Sequence, residues 1–191
     1  MRSPRGVSRF DATQRTLDVV HTFAGGGLDR AAHLREDDAT MRRLLEAPGT
    51  RVLPFHDLRP LLRGTEALEP AWQPVERLRD RLEAGADLVF LGLDDGQGRF
   101  AIADSDDRQA NPSPDPEAFV AVRAAAPMLG GPDAAAVALA RSLLAWNAAH
   151  RYCPSCGSPT ESSQAGHQRR CRATECGTVQ FPRTDPVVII V

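Results

Sequence analysis

The residues best suited to chemistry in this sequence are four cysteines in the segment YCPSCGSPTESSQAGHQRRCRATECG. They fall as Cys153-x₂-Cys156 and, after fourteen intervening residues, Cys171-x₄-Cys176. Zinc takes four soft ligands at the corners of a tetrahedron, with sulfur about 2.3 Å from the ion, and each short hook supplies two. Gly157 and Gly177 follow directly after the hooks, where glycine lets the backbone turn tightly and aim amide N–H groups at thiolates. The polar arms between the hooks bury too little area to fold by themselves. A bound metal therefore has to stabilise them, at roughly 10–16 kcal/mol of apparent binding energy for structural zinc. Two disulfides, or four unrelated core cysteines, are the competing readings, and a reducing compartment disfavours the first. Four thiolates close the shell and leave no position for a reacting water, so the expected zinc is structural. His150 and His167 flank the hooks and, with the metal already saturated, are expected to be surface or helix-end histidines. Arg169, Arg170 and Arg172 lie close enough in sequence to offset the two net negative charges of such a centre.

The rest of the chain sets limits rather than offering a second reactive cluster. At 191 residues it can bury one core or two small ones. A net charge of −2 gives no global basic field of the kind a DNA-binding protein carries, so no DNA partner is expected. All 23 basic residues are arginine, which reads as genomic composition bias. The start MRSPRGVSRF lacks a signal-peptide core, and no apolar run approaches the roughly 20 residues that span a bilayer. The expected location is the cytoplasm, without a membrane partner.

The elements that must position the cysteines follow from local patterns. In LREDDATMRRLLEAPGT, Asp37 or Asp38 caps a helix whose apolar stripe is Met41, Leu44 and Leu45, stopped at Pro48-Gly49. Arg51 to Phe55 reads as a strand, with Pro54 placing it at an edge. The region 60–84 is ambiguous, apart from a short helix in VERLRDRLEAG ending at Gly85. Leu88–Leu93 and Phe100–Ala103 flank Asp94-Asp95-Gly96-Gln97-Gly98 as a hairpin. SDDRQANPSPDPEAF reads as a Pro-rich loop. Pro132 to about His150 is a helix with Pro and Asp in its first turn and Leu139, Leu143 and Trp146 at helical spacing. The closing PVVIIV reads as the start of a buried strand.

A helix ending in AAHRYCPSCG, then a Cys₄ ribbon, then FPRTDPVVIIV resembles the NADH pyrophosphatase (NAD⁺ diphosphatase) branch of the Nudix hydrolases. The motif-level likeness covers about residues 132–191. It implies an α+β fold in a fixed order: a disordered start (1–9), a Nudix-like domain without catalytic residues (10–131), a linking helix (132–150), a zinc ribbon (151–181), and the first strand of a catalytic Nudix domain (182–191), the remainder of which would be missing. The family's Gly-x₅-Glu-x₇-Arg-Glu-x₂-Glu-Glu-x-Gly helix, whose glutamates hold Mg²⁺ or Mn²⁺, does not occur. Arg35-Glu36 is the only Arg-Glu pair and lacks the other acids. The resemblance implies NADH, NAD⁺ or NAD-capped RNA as substrate, cleaved to a nicotinamide mononucleotide and AMP, and a homodimer. It places Phe181 at an aromatic position that contacts nucleotide, and Arg123 near a substrate-contacting arginine. Two departures are the x₄ spacing of the second hook, where x₂ is usual, and His167, where family ribbons carry Trp.

Two functions are therefore carried forward. In one, the chain is the scaffold, dimer contact and substrate rim of an NAD(H) diphosphatase and is inactive alone. In the other, it is a non-catalytic zinc-ribbon module that grips nucleic acid or a protein partner; the ribbon's arginines favour this and its few aromatic residues do not.

Overall fold

The computed structural model describes residues 22–104 and 117–184. The expectations for the N-terminal residues, for most of the Pro-rich loop and for the closing Val-Val-Ile-Ile-Val run lie outside the described residues. The fold is α+β. Among the described residues, a seven-stranded mixed sheet is built from β1 (Arg51–His56), β2 (Arg59–Arg63), β3 (Glu69–Pro70), β4 (Gln73–Pro74), β5 (Asp87–Asp94), β6 (Gln97–Asp104) and β7 (Glu117–Phe119). Its spatial order is β3-β2-β1-β6-β5, with β4 added to β1 and β7 to β2. Among the described residues the α-helices are α1 (Asp38–Glu46), α2 (Arg79–Glu83), α3 (Val122–Ala125) and α4 (Gly131–Ala149). Among the described residues, no helix is long and apolar enough to cross a membrane.

Period-2 alternation divides the sheet's side chains between two cores. Leu53, Phe55, Val89, Leu91 and Ala101 face α4, where Val137, Ala140, Leu143 and Leu144 meet them. Val52, Phe90, Phe100 and Ile102 face the other way, toward Met41 of α1 and Val75 and Leu78 ahead of α2. Both faces are covered, which is why these strands read as near-continuous apolar runs. Helix α4 thus forms one layer of this domain as well as leading into the cysteine segment. Its start has Pro132 and Asp133 in the first turn, as expected.

Local chemistry accounts for most boundaries. The Asp37 side chain accepts a 3.0 Å hydrogen bond from the Ala39 amide at the start of α1. Gly85, at φ 80°, closes α2 in the left-handed conformation. The β5–β6 hairpin turns on Asp95 and Gly96 alone, both at positive φ (48° and 78°), so the connection is a two-residue turn, tighter than the five-residue loop expected.

Pro54 corrects the placement of its strand. β1 is central: it runs parallel to β6 over its whole length, while its other side pairs with β4 at Arg51–Val52 and with β2 at Phe55–His56. Pro54 falls between those two short pairings, so its missing N–H removes no ladder bond there. The β1–β2 turn, Asp57-Leu58, was unreadable because an apolar leucine sits at φ 58°.

A second, three-stranded antiparallel sheet holds β8 (Thr160–Ser163), β9 (Gln168–Cys171) and β10 (Val179–Gln180) in the order β10-β9-β8. Its tip, Gln164-Ala165-Gly166, takes three successive positive φ values and docks against β5. Gly166 has no room for a side chain: a Cβ there would overlap Val89 and lie 2.9 Å from the Leu88 carbonyl. His167 Nε2 donates to the Phe90 carbonyl at 2.7 Å, and its Nδ1 lies 3.1 Å from Arg35 Nη1. Arg35 can only donate, so the ring is the neutral Nε2–H tautomer. This overturns the expectation of a surface histidine; it sits where it caps an edge strand.

The other link is a buried polar cluster. Asn147 of α4 donates to the Leu143 carbonyl (3.0 Å) and to the Gly166 carbonyl (2.8 Å), and its Oδ1 accepts from Arg169 Nη1 (3.1 Å). Arg169 Nε and Nη2 donate to the Thr160 hydroxyl (2.8 Å) and carbonyl (3.0 Å). The Thr160 hydroxyl donates to the His150 carbonyl at 2.6 Å. Replacing Asn147 with Leu leaves the Arg169 Nη1 donor and the Gly166 carbonyl buried without partners. Chemical denaturation of Asn147→Leu is expected to show a loss of roughly 2–4 kcal/mol. The histidine gives a pH signature. Burial, helped by the charges of Arg35 and Arg30 and partly opposed by the Phe90 carbonyl, holds His167 down at about 4 from an ordinary 6.5. Between those values the unfolded chain binds the proton that the folded one refuses. Stability is therefore complete above 6.5 and falls as the pH drops toward 4. From pH 7 to pH 5 the parent chain is expected to lose roughly 2 kcal/mol more than His167→Gln; parallel pH profiles for the two would contradict this.

Candidate metal centre

Each cysteine hook folds as a knuckle for local reasons. Cys153 N donates to Ser158 O (2.8 Å) and Gly157 N to Cys153 O (2.9 Å), with Gly157 at φ 74°. In the second knuckle, Cys171 N donates to Thr178 O (2.9 Å) and Cys176 N to Ala173 O (3.0 Å), with Gly177 at φ 60°. The x₄ hook therefore closes on the same kind of bond as the x₂ hook and carries its two additional residues in the turn. The glycines make the reversals possible, but their amides bond carbonyls. An amide aimed at sulfur is that of Ala173, 3.4 Å from Cys171 Sγ.

The four sulfurs lie within 4.8 Å of one another. Cys153 and Cys176 are 3.7 Å apart, and Cys156 and Cys171 are 3.5 Å apart. A ZnS₄ tetrahedron with about 2.3 Å bonds has edges of about 3.8 Å, so the set fits a tetrahedral ion. Cys153 and Cys171 are buried, Cys156 is exposed and Cys176 intermediate. The protons divide unevenly. Against burial, the amides of Ser155 and Cys156 and the neighbouring thiols hold Cys153 down at about 6. Despite the Ala173 amide, burial and the adjacent sulfurs push Cys171 up to about 12. Four thiolates this close repel one another, and a divalent cation at their centre is what would let all four ionise.

Arg169 is buried in the Asn147–Thr160 cluster, Arg172 lies 4.0 Å from Glu161, and Arg170 is exposed. The signal for Arg169 was absent from the sequence because its partners come from α4 and from the far arm of the ribbon. His150 is the helix-end residue expected, stacked on Trp146 with ring centroids 4.9 Å apart. Among the described residues, the four cysteines are the only group of three or more His, Cys, Asp or Glu side chains able to share an ion.

The two residues assigned to substrate line no common depression among the described residues. Phe181 is exposed after β10. Arg123, on α3, lines a depression of about 520 Å³ that Phe181 does not line.

Residues 49–146 match the family model described as an NADH pyrophosphatase-like rudimentary NUDIX domain, and residues 148–181 match the NADH pyrophosphatase zinc ribbon domain. The chain is similar to the NAD-capped RNA hydrolase of Schizosaccharomyces pombe, with 27% identity over 213 aligned positions covering 88% of the chain and 57% of that protein. It is also similar to the human NAD-capped RNA hydrolase NUDT12, at 39% over 64 residues (30% of the chain, 14% of that protein). With the chloroplastic Nudix hydrolase 19 of Arabidopsis thaliana it shares 43% over 51 residues (27% of the chain, 12% of that protein). The chain thus spans little more than half of the fission-yeast relative and a small part of the other two.

The geometry leads to a direct expectation about metal. Purified protein is expected to carry close to one equivalent of zinc, loosened by Cys171→Ser and lost from Cys153→Ser/Cys171→Ser. Elemental analysis after dialysis checks this, and full retention by the double variant would remove these cysteines as ligands.

Proposed function

Since the chain belongs to the NADH pyrophosphatase-like family with a rudimentary Nudix domain, we propose that it is the scaffold of an NAD(H) diphosphatase whose hydrolytic residues lie outside these 191. The observation that carries the reading is the succession of rudimentary domain (49–146) and zinc ribbon (148–181). The names of the relatives extend the substrate class to NAD-capped RNA.

In this reading Cys153, Cys156, Cys171 and Cys176 hold a structural zinc, which fixes the ribbon and takes no part in bond cleavage. Hydrolysis of the diphosphate needs Mg²⁺ or Mn²⁺ on convergent carboxylates, with a water aligned for attack on phosphorus. Glu36, Asp94, Asp95 and Glu161 sit on a turn before α1, the β5–β6 hairpin and a ribbon arm, which does not offer that convergence. Phe181 and Arg123 are assigned to the substrate rim. A homodimer belongs to the same proposal, and the exposed Met128, Tyr152 and Phe181 supply apolar surface for contact.

The 191-residue chain is expected to release no AMP from NADH with Mg²⁺. A longer protein joining these residues to a family catalytic helix is expected to do so. Turnover by the chain alone would put the chemistry inside it and overturn the proposal. Failure of the longer protein to cleave NADH would overturn the activity itself.

A further inference from the structure

Two depressions adjoin along α4, sharing Phe23, Ala138 and Ser142 in their walls. The first, about 520 Å³, carries three arginines from three different elements: Arg59 opens β2, Arg123 lies on α3 and Arg141 on α4. All three are exposed, and among the described residues none has an ion pair or a hydrogen bond. Among the described residues, Asp57 is the one carboxylate in that wall. The second depression, about 480 Å³, is floored by alanine, proline and leucine side chains and has Arg30 in its wall. Phe23, half exposed, stands where the two meet.

A protein with a net charge of −2 that gathers in one concavity three guanidiniums unpaired among the described residues has built a local anion site against its overall field. Guanidinium forks match phosphate oxygens, and an exposed aromatic between cationic patches is the arrangement on which a base of a single strand stacks. A lone phosphate would use one arginine or two; two adjoining depressions, with three arginines lining one and Arg30 the other, fit successive phosphates. We infer that this groove binds a short single-stranded phosphodiester segment, the RNA body behind the cap, with Arg59, Arg123 and Arg141 on phosphates and Phe23 under a base. The inference rests on the proposed reading of an NAD-capped RNA substrate and adds where its nucleotides run.

The test uses the zinc-loaded 191-residue chain and an uncapped, fluorescein-labelled ten-nucleotide single-stranded RNA, so that it is independent of cleavage. Anisotropy titrations between 50 and 200 mM salt compare the parent with Arg123→Gln/Arg141→Gln and with Arg42→Gln/Arg79→Gln, an equal loss of charge outside the groove. The groove pair is expected to weaken binding about tenfold at low salt and to flatten the log–log salt slope by about 1.4, two contacts at about 0.7 each for a single strand. The control pair is expected to change affinity less than about twofold. Phe23→Ala is expected to weaken binding with the slope unchanged. Equal effects from the two charge pairs, or no RNA binding by the parent, would overturn the inference. So would binding of ADP or pyrophosphate without RNA, which would give the site to a small phosphate ligand. Loss of NADH cleavage in a longer protein, with RNA binding intact, would count against the proposed activity and leave this groove standing.

Discussion

A guanidinium taken out of water has to be ringed by oxygens, and Arg169 finds its ring only when two parts of the chain are locked together. Its acceptors are the Asn147 side chain on α4 and the hydroxyl and carbonyl of Thr160 on the opposite ribbon arm. No carboxylate touches it among the described residues, and burial lowers its pKa. Each oxygen therefore matters more than it would beside a salt-bridge partner. Asn147 is satisfied in turn only because Gly166, at the ribbon tip, presents its carbonyl. Breaking any one of these contacts leaves a charge or a dipole stranded in the interior, so the ribbon is held against α4.

That constraint organises the two sheets. The ribbon tip covers the outer edge of β5, with Gly166 against Val89 and His167 on the Phe90 carbonyl. Asp29 pairs further along the same edge, its amide and carbonyl bonding Leu93. An edge that would otherwise be open to another strand is closed by the metal-binding module. The positive φ values at Gln164 and Ala165 are strain that an isolated arm would relax, and docking holds them in place. The knuckles, at the other end of the ribbon, can then be held by a metal without a core of their own.

What could be read from the sequence was what depends on near neighbours. The paired hooks with their glycines, the cap at Asp37, the Asp-Gly turn and the first turn of α4 are decided within a few residues, and the resemblance drew on the same local signals. What failed depended on distant partners. Pro54 marks an edge by local rule, yet it sits in the middle of the sheet, because β6 pairs along one side of β1 while β4 and β2 share the other, before and after the proline. Arg169 looked like a counter-charge and His167 like a surface residue because α4 and β5, which bury them, lie about 20 and about 77 residues away in sequence. The strands β2, β3 and β4 carry prolines and left-handed turn residues that hide their pairing.

The cysteine site, the ribbon tip and the edge of the main sheet form one cooperative unit, bound through Asn147, Arg169 and His167. The most direct measurement is hydrogen exchange over Val89–Leu93, a stretch remote from the cysteines in sequence, with zinc bound and after its removal by a chelator. Protection of β5 is expected to fall together with that of the ribbon when the metal leaves, because the tip that seals its edge is released. Unchanged exchange in β5 while β8 and β9 lose protection would mean that the ribbon folds and unfolds alone, and would contradict the coupling.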